Sequence, residues 1–244
     1  LKADFGEAHY NLGNTLQELG RLEDAEASYR QAIAWKSDFG EAHENLGGIL
    51  QELGRTEEAI SKYAQALTLK PNSNRTNLNL GLILNSFTFE SSDTSLYPML
   101  INLLTLGNFV RPLEVANGIL SLLKHDPLIE ELLAKRNIAE NIIGITSAIE
   151  TLDKFPLLHH LMRVSPLPDL QPERLFVTMR RILLKYLDEI EKSPATVYFL
   201  STLSLHCFTN EYVYFESAEE SQQINDLELE IRVSMRQGKQ PRLL

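Results

Sequence analysis

"NLGNTLQELGRLEDA" occupies residues 11–25, and "NLGGILQELGRTEEA" occupies residues 45–59 of the same 244-residue chain. An ungapped alignment of 6–39 with 40–73 gives 19 identities in 34 positions. A unit of this length is too short to bury its apolar face by itself, so a fixed period predicts an array of stacked units.

Each unit has the spacing of two helices joined by a tight turn. Leu12 and Leu16 lie four residues apart, on one face of a first helix. Gly20 is expected to end this helix, because glycine readily adopts the backbone of a helix C-cap. A second helix then carries Ala25 and Tyr29 on one stripe. The same residue types recur 34 residues later, at Leu46, Leu50, Gly54, Ala59 and Tyr63.

This pattern of Leu-Gly, Gly, Ala, Tyr and Ala resembles the tetratricopeptide repeat. His9 and His43 stand where that family often has Trp, and Ser37 replaces the closing Pro that the second unit has at Pro71. Gly13 is expected to let the two helix backbones of a unit approach. The resemblance implies an all-α fold, a helix-turn-helix superhelix (α-solenoid) followed by an irregular helical domain.

The period also predicts the domain organisation. We expect an array over 1–86, with the end of one unit, full repeats at 6–39 and 40–73, and a partial repeat that begins with "NRTNLNLGLILN". Residues 87–110 have lost most repeat signals and are expected to form a degenerate repeat or junction. Residues 111–244 are expected to form the helical domain. From residue 95 onward, the predicted helices cover 95–106, 112–124, 127–135, 138–153, 156–163, 172–192, 195–209 and 218–236.

Three asparagines recur at steps of 34 residues, outside the apolar stripe. The resemblance places Asn11, Asn45 and Asn79 on the concave face of the array, and the repeats are similar to those of O-linked N-acetylglucosamine transferases, whose asparagine ladder binds substrate peptides. A carboxamide both donates and accepts, so it can pair with the backbone of an extended peptide. A recent duplication would also explain the recurrence. The predicted peptide-binding residues are Asn11, Asn45, Asn79, Tyr10, Asn14, Glu44, Gln17 and Gln51.

The predicted inner face is mostly acidic and lacks the basic set of chaperone-tail clamps. Its carboxylates include Glu7, Glu18, Glu41, Glu44 and Glu52, with Arg75 nearby. We therefore expect a neutral or basic protein or peptide as partner, although a solvated helix face explains the acids equally simply.

Composition argues against other kinds of partner. The net charge of −10 opposes binding to nucleic acid or anionic membranes. No apolar run approaches the roughly 20 residues of a bilayer span. A single cysteine, Cys207, fits a reducing compartment, so a cytoplasmic protein is expected. Self-association through the repeats stays open.

No motif for catalysis is present. Glycine-rich phosphate loops and H-E-x-x-H are absent from the sequence, so we predict no enzyme, cofactor or metal site in these 244 residues. The alternative concerns a larger parent protein. Residues of roughly 150–220 weakly resemble the helical region before an S-adenosylmethionine-dependent methyltransferase domain in bacterial repeat proteins. The chain would then be the recognition part of a methyltransferase or glycosyltransferase whose catalytic domain lies elsewhere.

Overall fold

The computed structural model describes residues 2–106, 110–134, 141–186, 189–191 and 193–209, together with four isolated residues (222, 226, 229 and 233). These residues form α-helices and one short 3-10 helix (Thr94–Leu96), with no strand among them, as the all-α prediction requires. The helices are α1 (Lys2–Glu18), α2 (Leu22–Trp35), α3 (Gly40–Glu52), α4 (Thr56–Leu69), α5 (Asn74–Ser86), α6 (Tyr97–Leu106), α7 (Pro112–Lys124), α8 (Pro127–Ala134), α9 (Ile142–Leu152), α10 (Pro156–Val164), α11 (Leu170–Lys185) and α12 (Pro194–Thr209).

Glycine ends the first helix of each full repeat, as predicted. Gly20 and Gly54 have φ angles of 72° and 77°, in the left-handed region that side chains with a Cβ avoid. The Arg21 amide donates to the carbonyl of Leu16 over 2.9 Å, and the Gly20 amide donates to Gln17 over 2.9 Å. This pair of bonds is a Schellman cap, and it turns the chain directly into α2.

A second glycine sets the contact between the two helices of a repeat. A Cβ at Gly13 would lie 2.6 Å from Cε1 of Tyr29, and a Cβ at Gly47 would lie 2.8 Å from Cε1 of Tyr63. Both tyrosines are fully buried. The tyrosine ring therefore lies directly on the glycine of the preceding helix, which explains why both residue types are fixed in the repeat.

Stacking of successive repeats buries the leucine of the Leu-Gly pair. Leu46 is 1% exposed and Leu80 is 0% exposed, whereas the equivalent Leu12 of α1 is 49% exposed. Consecutive helices from α1 to α5 pack against one another. The difference among three equivalent leucines shows that burial comes from the neighbouring repeat and not from the helix pair alone.

Ion pairs also join the second helices of the two full repeats. Glu26 of α2 accepts hydrogen bonds of 2.8 Å from Arg30 and from Arg55, and Arg30 reaches Glu58 of α4 at 3.3 Å. Burial raises the pKa of Glu26, but the bonds from the two arginines outweigh it, so its pKa is lowered. The network stabilises the step between repeats in its ionised form.

The third repeat obtains its second helix from farther along the chain. α5 packs against α7, with residues 87–111 between them. A Cβ on Gly81, the equivalent of Gly13, would overlap Val110 just before α7. A Cβ on Gly118 of α7 would lie 2.6 Å from the carbonyl oxygen of Leu84. Close packing at Gly81, the glycine of the repeat, is thus retained, although the sequence of α7 has lost the repeat signature.

The chain forms two compact units, one of Leu1–Pro127 with Pro156–Leu161 and the other of Leu128–Phe155 with Met162–Leu244. The second unit has its own core, in which the rings of Phe176 and Phe199 are 6.4 Å apart and His206 Nδ1 lies 3.1 Å from the carbonyl oxygen of Met162. The domain boundaries expected from the sequence stay a prediction.

Most described helices of the second half lie within two residues of the predictions, and α7 has the predicted bounds, but two helices differ by more. The helix expected over 172–192 begins at Leu170, because Asp169 caps it by accepting from the Gln171 amide over 2.8 Å, and it ends at Lys185. Ile190, inside the expected range, is buried but lies beyond the end of the helix. The helix expected over 138–153 begins at Ile142. The helix expected over 218–236 lies almost entirely outside the described residues.

Candidate functional site

The first helices of the three repeats surround a cavity of about 470 Å³. Most of its lining is polar, with carboxamide, carboxylate and guanidinium groups. Among the described residues of this wall, only Tyr63 comes from a second helix. The lining residues are Gln17, Glu44, Asn45, Gly48, Gln51, Glu52, Tyr63, Arg75 and Asn79.

A repeated hydrogen-bond set holds the carboxamides in place, and we call it the Asn-Tyr-Gln network. Asn45 Nδ2 donates to the hydroxyl of Tyr29 over 3.4 Å, and this hydroxyl faces two acceptors, Asn14 Oδ1 at 2.8 Å and Gln17 Oε1 at 3.0 Å. One repeat later, Asn79 Nδ2 donates to Tyr63 over 3.4 Å, and Tyr63 donates to Gln51 over 3.3 Å. Each set joins an asparagine of one repeat to the tyrosine and glutamine of the repeat before it.

The tyrosine hydroxyls keep their protons in this network. Burial raises the pKa of Tyr29 to about 12, although the hydrogen bond from Asn45 opposes the change. The pKa of Tyr63 is raised for the same reason. Both hydroxyls therefore remain donors at neutral pH, and they orient the glutamine oxygens of the cavity wall.

Asn45 is the most heavily engaged of the three asparagines. Its Nδ2 also lies 2.9 Å from Asn14 Oδ1 and 3.2 Å from the hydroxyl of Tyr10, so its two N–H groups are shared among three acceptors. Its Oδ1 accepts from Arg75 over 2.6 Å. Arg75 in turn donates to Glu44, so one cation links a carboxamide and a carboxylate of the neighbouring repeat.

Glu44 is a buried carboxylate with three donors around it. Burial raises its pKa, but the hydrogen bonds from Thr76, Arg75 and Ser73 together lower it below its usual value. Ser73 donates over 2.9 Å. The charge of Glu44 is thus compensated within the protein, and its contribution to the surface is smaller than the sequence suggested.

Comparison with known proteins supports the fold of this region. Residues 10–74 match the family model described as Tetratricopeptide repeat. The match agrees with the helix pairs α1–α2 and α3–α4, and it supports the resemblance of this segment to tetratricopeptide repeats. Such repeats are generally protein-interaction or scaffold modules, and the repeat fold itself is non-catalytic. None of the curated proteins with which the sequence was compared matches it significantly.

The predicted binding residues fall into two groups around the tetratricopeptide repeat cavity. Asn45, Asn79, Glu44, Gln17 and Gln51 line it. The other group does not line it. The ring of Tyr10 packs on that of Phe39, with centroids 4.8 Å apart. Tyr10 and Asn14 both contact the side chain of Asn45. Asn11 is exposed on α1.

Asn79 and Gln51 present hydrogen-bonding groups that the network leaves free. The Asn79 carboxamide uses its nitrogen toward Tyr63, and its oxygen has no partner among the described residues. The oxygen of the Gln51 carboxamide accepts from the same hydroxyl, and the side chain of Gln51 is exposed. One oriented acceptor and one oriented pair of donors are thus available on adjacent repeats.

Two features of the cavity escaped the sequence analysis. The tyrosines were expected only on the stripe of the second helix, yet Tyr63 lines the cavity. The sequence did contain a signal for this role, because both equivalent positions have Tyr, which carries a hydroxyl, and not Phe. Gly48 was not predicted to line the cavity either. It lies 34 residues after Asn14, which was among the predicted binding residues.

Two further observations concern metal ions and membranes. Across the described residues, no group of three or more His, Cys, Asp or Glu side chains has an arrangement that would hold a metal ion. None of the described helices combines the length and the apolar character that a bilayer crossing requires.

Proposed function

We propose that the first-helix face of the tetratricopeptide repeat array binds an extended polypeptide segment of neutral or basic character. The single observation that carries this proposal is the cavity of about 470 Å³ with oriented carboxamides from successive repeats in its wall. An extended backbone alternates donors and acceptors along its length, so groups of both kinds fixed at successive repeats suit it.

Charge supports the choice of ligand. The cavity wall contains the carboxylates of Glu44 and Glu52 and the guanidinium of Arg75. Glu41 is paired with Lys70 and so adds little free charge. Exposed Glu18 and Glu52 remain beside the glutamines, and they attract a cationic side chain while repelling an acidic segment. Of the described residues in the wall, Arg75 alone is a cation, so a terminal carboxylate lacks the set of cations that clamps of that type use.

The proposal is tested with a display library of randomised 12-residue peptides selected on the whole chain. The most enriched peptides are then labelled, and their affinity is measured by fluorescence anisotropy for the wild type, Asn79→Ala and Gln51→Ala. Each variant removes one or two neutral hydrogen bonds of roughly 0.5–1.5 kcal/mol each, so we expect a loss of about fivefold to tenfold.

Gln31→Ala is the matched control, because Gln31 is an exposed carboxamide on α2 and does not line the cavity. It should leave affinity unchanged. Asn79→Ala should also leave the melting temperature nearly unchanged, since its one bond to Tyr63 is long. Enrichment of peptides whose affinity is the same for all variants would show that the carboxamides only join the repeats.

The role of a recognition region in a larger transferase stays a prediction. The resemblance that suggests this role covers residues of roughly 150–220, and 210–220 lie outside the described residues. The proposed peptide site would serve either context.

A further inference from the structure

Two exposed leucines lie side by side on α5. Leu78 is 45% exposed and Leu82 is 68% exposed. They are four residues apart, so they lie on the same face of the helix, one turn from each other. The leucine of the Leu-Gly pair on the same helix, Leu80, is fully buried. α5 therefore has an apolar strip facing away from its core contacts.

The repeat register places this strip on the continuation of the cavity wall. Glu44 and Gly48 precede Leu78 and Leu82 by 34 residues each, and both line the cavity from α3. Asn79, which follows Leu78, also lines it. The register thus places the apolar strip on α5 beside the polar cavity wall, to which the same helix contributes Arg75 and Asn79.

This inference rests on the proposed peptide-binding function and specifies its ligand. We infer that the bound segment carries an aliphatic or aromatic side chain that packs on Leu78 and Leu82, next to a neutral or basic stretch that contacts Asn79, Gln51 and Glu52. The apolar side chain and the two leucines leave water together, which adds affinity that hydrogen bonds to the backbone do not supply.

A second copy of this chain fits the surface less well than a basic partner. The chain has a net charge of −10, and carboxylates outnumber cations in the cavity wall. Self-association through this face would bring acidic surfaces together, whereas a segment with Lys or Arg beside its apolar residue meets a complementary charge.

The experiment uses the randomised 12-residue peptide library on three forms of the whole chain. These are the wild type, the double variant Leu78→Gln/Leu82→Gln, and Leu113→Gln as a matched control. Leu113 is a 56% exposed leucine on α7 that does not line the cavity. Because all three leucines are substantially exposed, the variants should retain the circular dichroism spectrum of the wild type.

Peptides selected on the wild type and on Leu113→Gln should share an apolar residue at a fixed distance from Lys or Arg. On the double variant, the apolar preference should disappear while the polar and basic preference remains. For the best peptide, exchange of its apolar residue for Asn should weaken binding to the wild type about tenfold and should leave binding to the double variant unchanged.

Three results would overturn the inference in distinguishable ways. Enriched peptides without a fixed apolar position would refute the apolar contact and leave the peptide site standing. A lack of enrichment over an unrelated protein would refute the peptide site itself. Dimerisation of the wild type in sedimentation experiments, lost in the double variant, would assign the strip to a second copy of the chain.

Discussion

Replacement of equivalent leucines in successive repeats tests the energetics of stacking. Leu12 and Leu46 have the same position in α1 and α3, but their exposed fractions are 49% and 1%. Leu→Ala at either site makes the same change in helix propensity. A difference in stability between the two variants therefore reports the packing of the neighbouring repeat.

The size of the difference follows from the buried carbon atoms. Leu→Ala removes three carbons, and each buried CH₂ contributes about 0.8 kcal/mol, so full burial corresponds to about 2.4 kcal/mol before any cavity is counted. We expect Leu46→Ala to lower the free energy of unfolding by about 3 kcal/mol, within the usual range for buried leucines. For the half-exposed Leu12, about 1 kcal/mol is expected.

Urea unfolding followed by far-UV circular dichroism gives the two free energies. The fluorescence of Trp35, the single tryptophan of the chain, follows the first repeat separately, since its ring stacks on Phe5 with centroids 5.4 Å apart. Equal losses for both variants, or a larger loss for Leu12→Ala, would refute the view that the preceding repeat buries Leu46.

Three further predictions concern the turns, the helix contacts and the pH dependence of stability. Gly47→Ala should cost about 1–3 kcal/mol in chemical unfolding, because the new Cβ would press on Tyr63, whereas Gly48→Ala, with its nearest contact at 3.8 Å, should be neutral or stabilising. Gly54→Ala should lower the free energy of unfolding by about 1–2 kcal/mol through the positive φ alone, because no atom lies within 4 Å of the new Cβ. A smaller loss of stability than for Gly48→Ala would contradict this reason. The pKa of Glu44 is lower in the folded protein than its ordinary value of 4.5, so the stability it adds is present above that pH and is lost as the pH falls; Glu44→Gln should flatten the acid side of a melting-temperature profile.

The first two repeats could be predicted from the sequence because their signals are local. Apolar spacing of a helix, a glycine at its end and a fixed period each depend on residues close together in the chain. Gly20 and Gly54 end their helices where expected, and the structure adds only their caps. Helix ends in the second half were harder, since caps such as Asp169 lie outside the apolar stripe.

The third repeat shows where periodicity stops being informative. The partner of α5 is α7, which follows an insertion and lacks the Ala and Tyr of the repeat. Gly81 carried the signal that a close neighbour exists, but nothing in the sequence identified Val110 as that neighbour. A contact between residues separated by an insertion cannot be read from a period.

The site was predictable in position and not in detail. Recurrence of asparagine at steps of 34 residues indicated a shared face; Asn45 and Asn79 line the cavity, Asn11 does not, and the binding role of all three stays a prediction. Their bonds to Tyr29 and Tyr63 depend on the depth to which each ring is buried, and the bond from Arg75 to Asn45 depends on a side-chain conformation. Neither the depth of a ring nor the conformation of a side chain can be predicted from residue spacing.

Nuclear magnetic resonance of the side-chain amides tests the proposed peptide site most directly. A library-selected peptide is titrated into ¹⁵N-labelled protein, and the carboxamide signals of Asn79, Gln51 and Gln31 are followed after assignment by single substitutions. If the peptide occupies this cavity, the signals of Asn79 and Gln51 should show saturable shifts and that of Gln31 should show none. Shifts confined to Gln31 and other residues of α2 or α4 would place the peptide on the opposite face and contradict the proposed site.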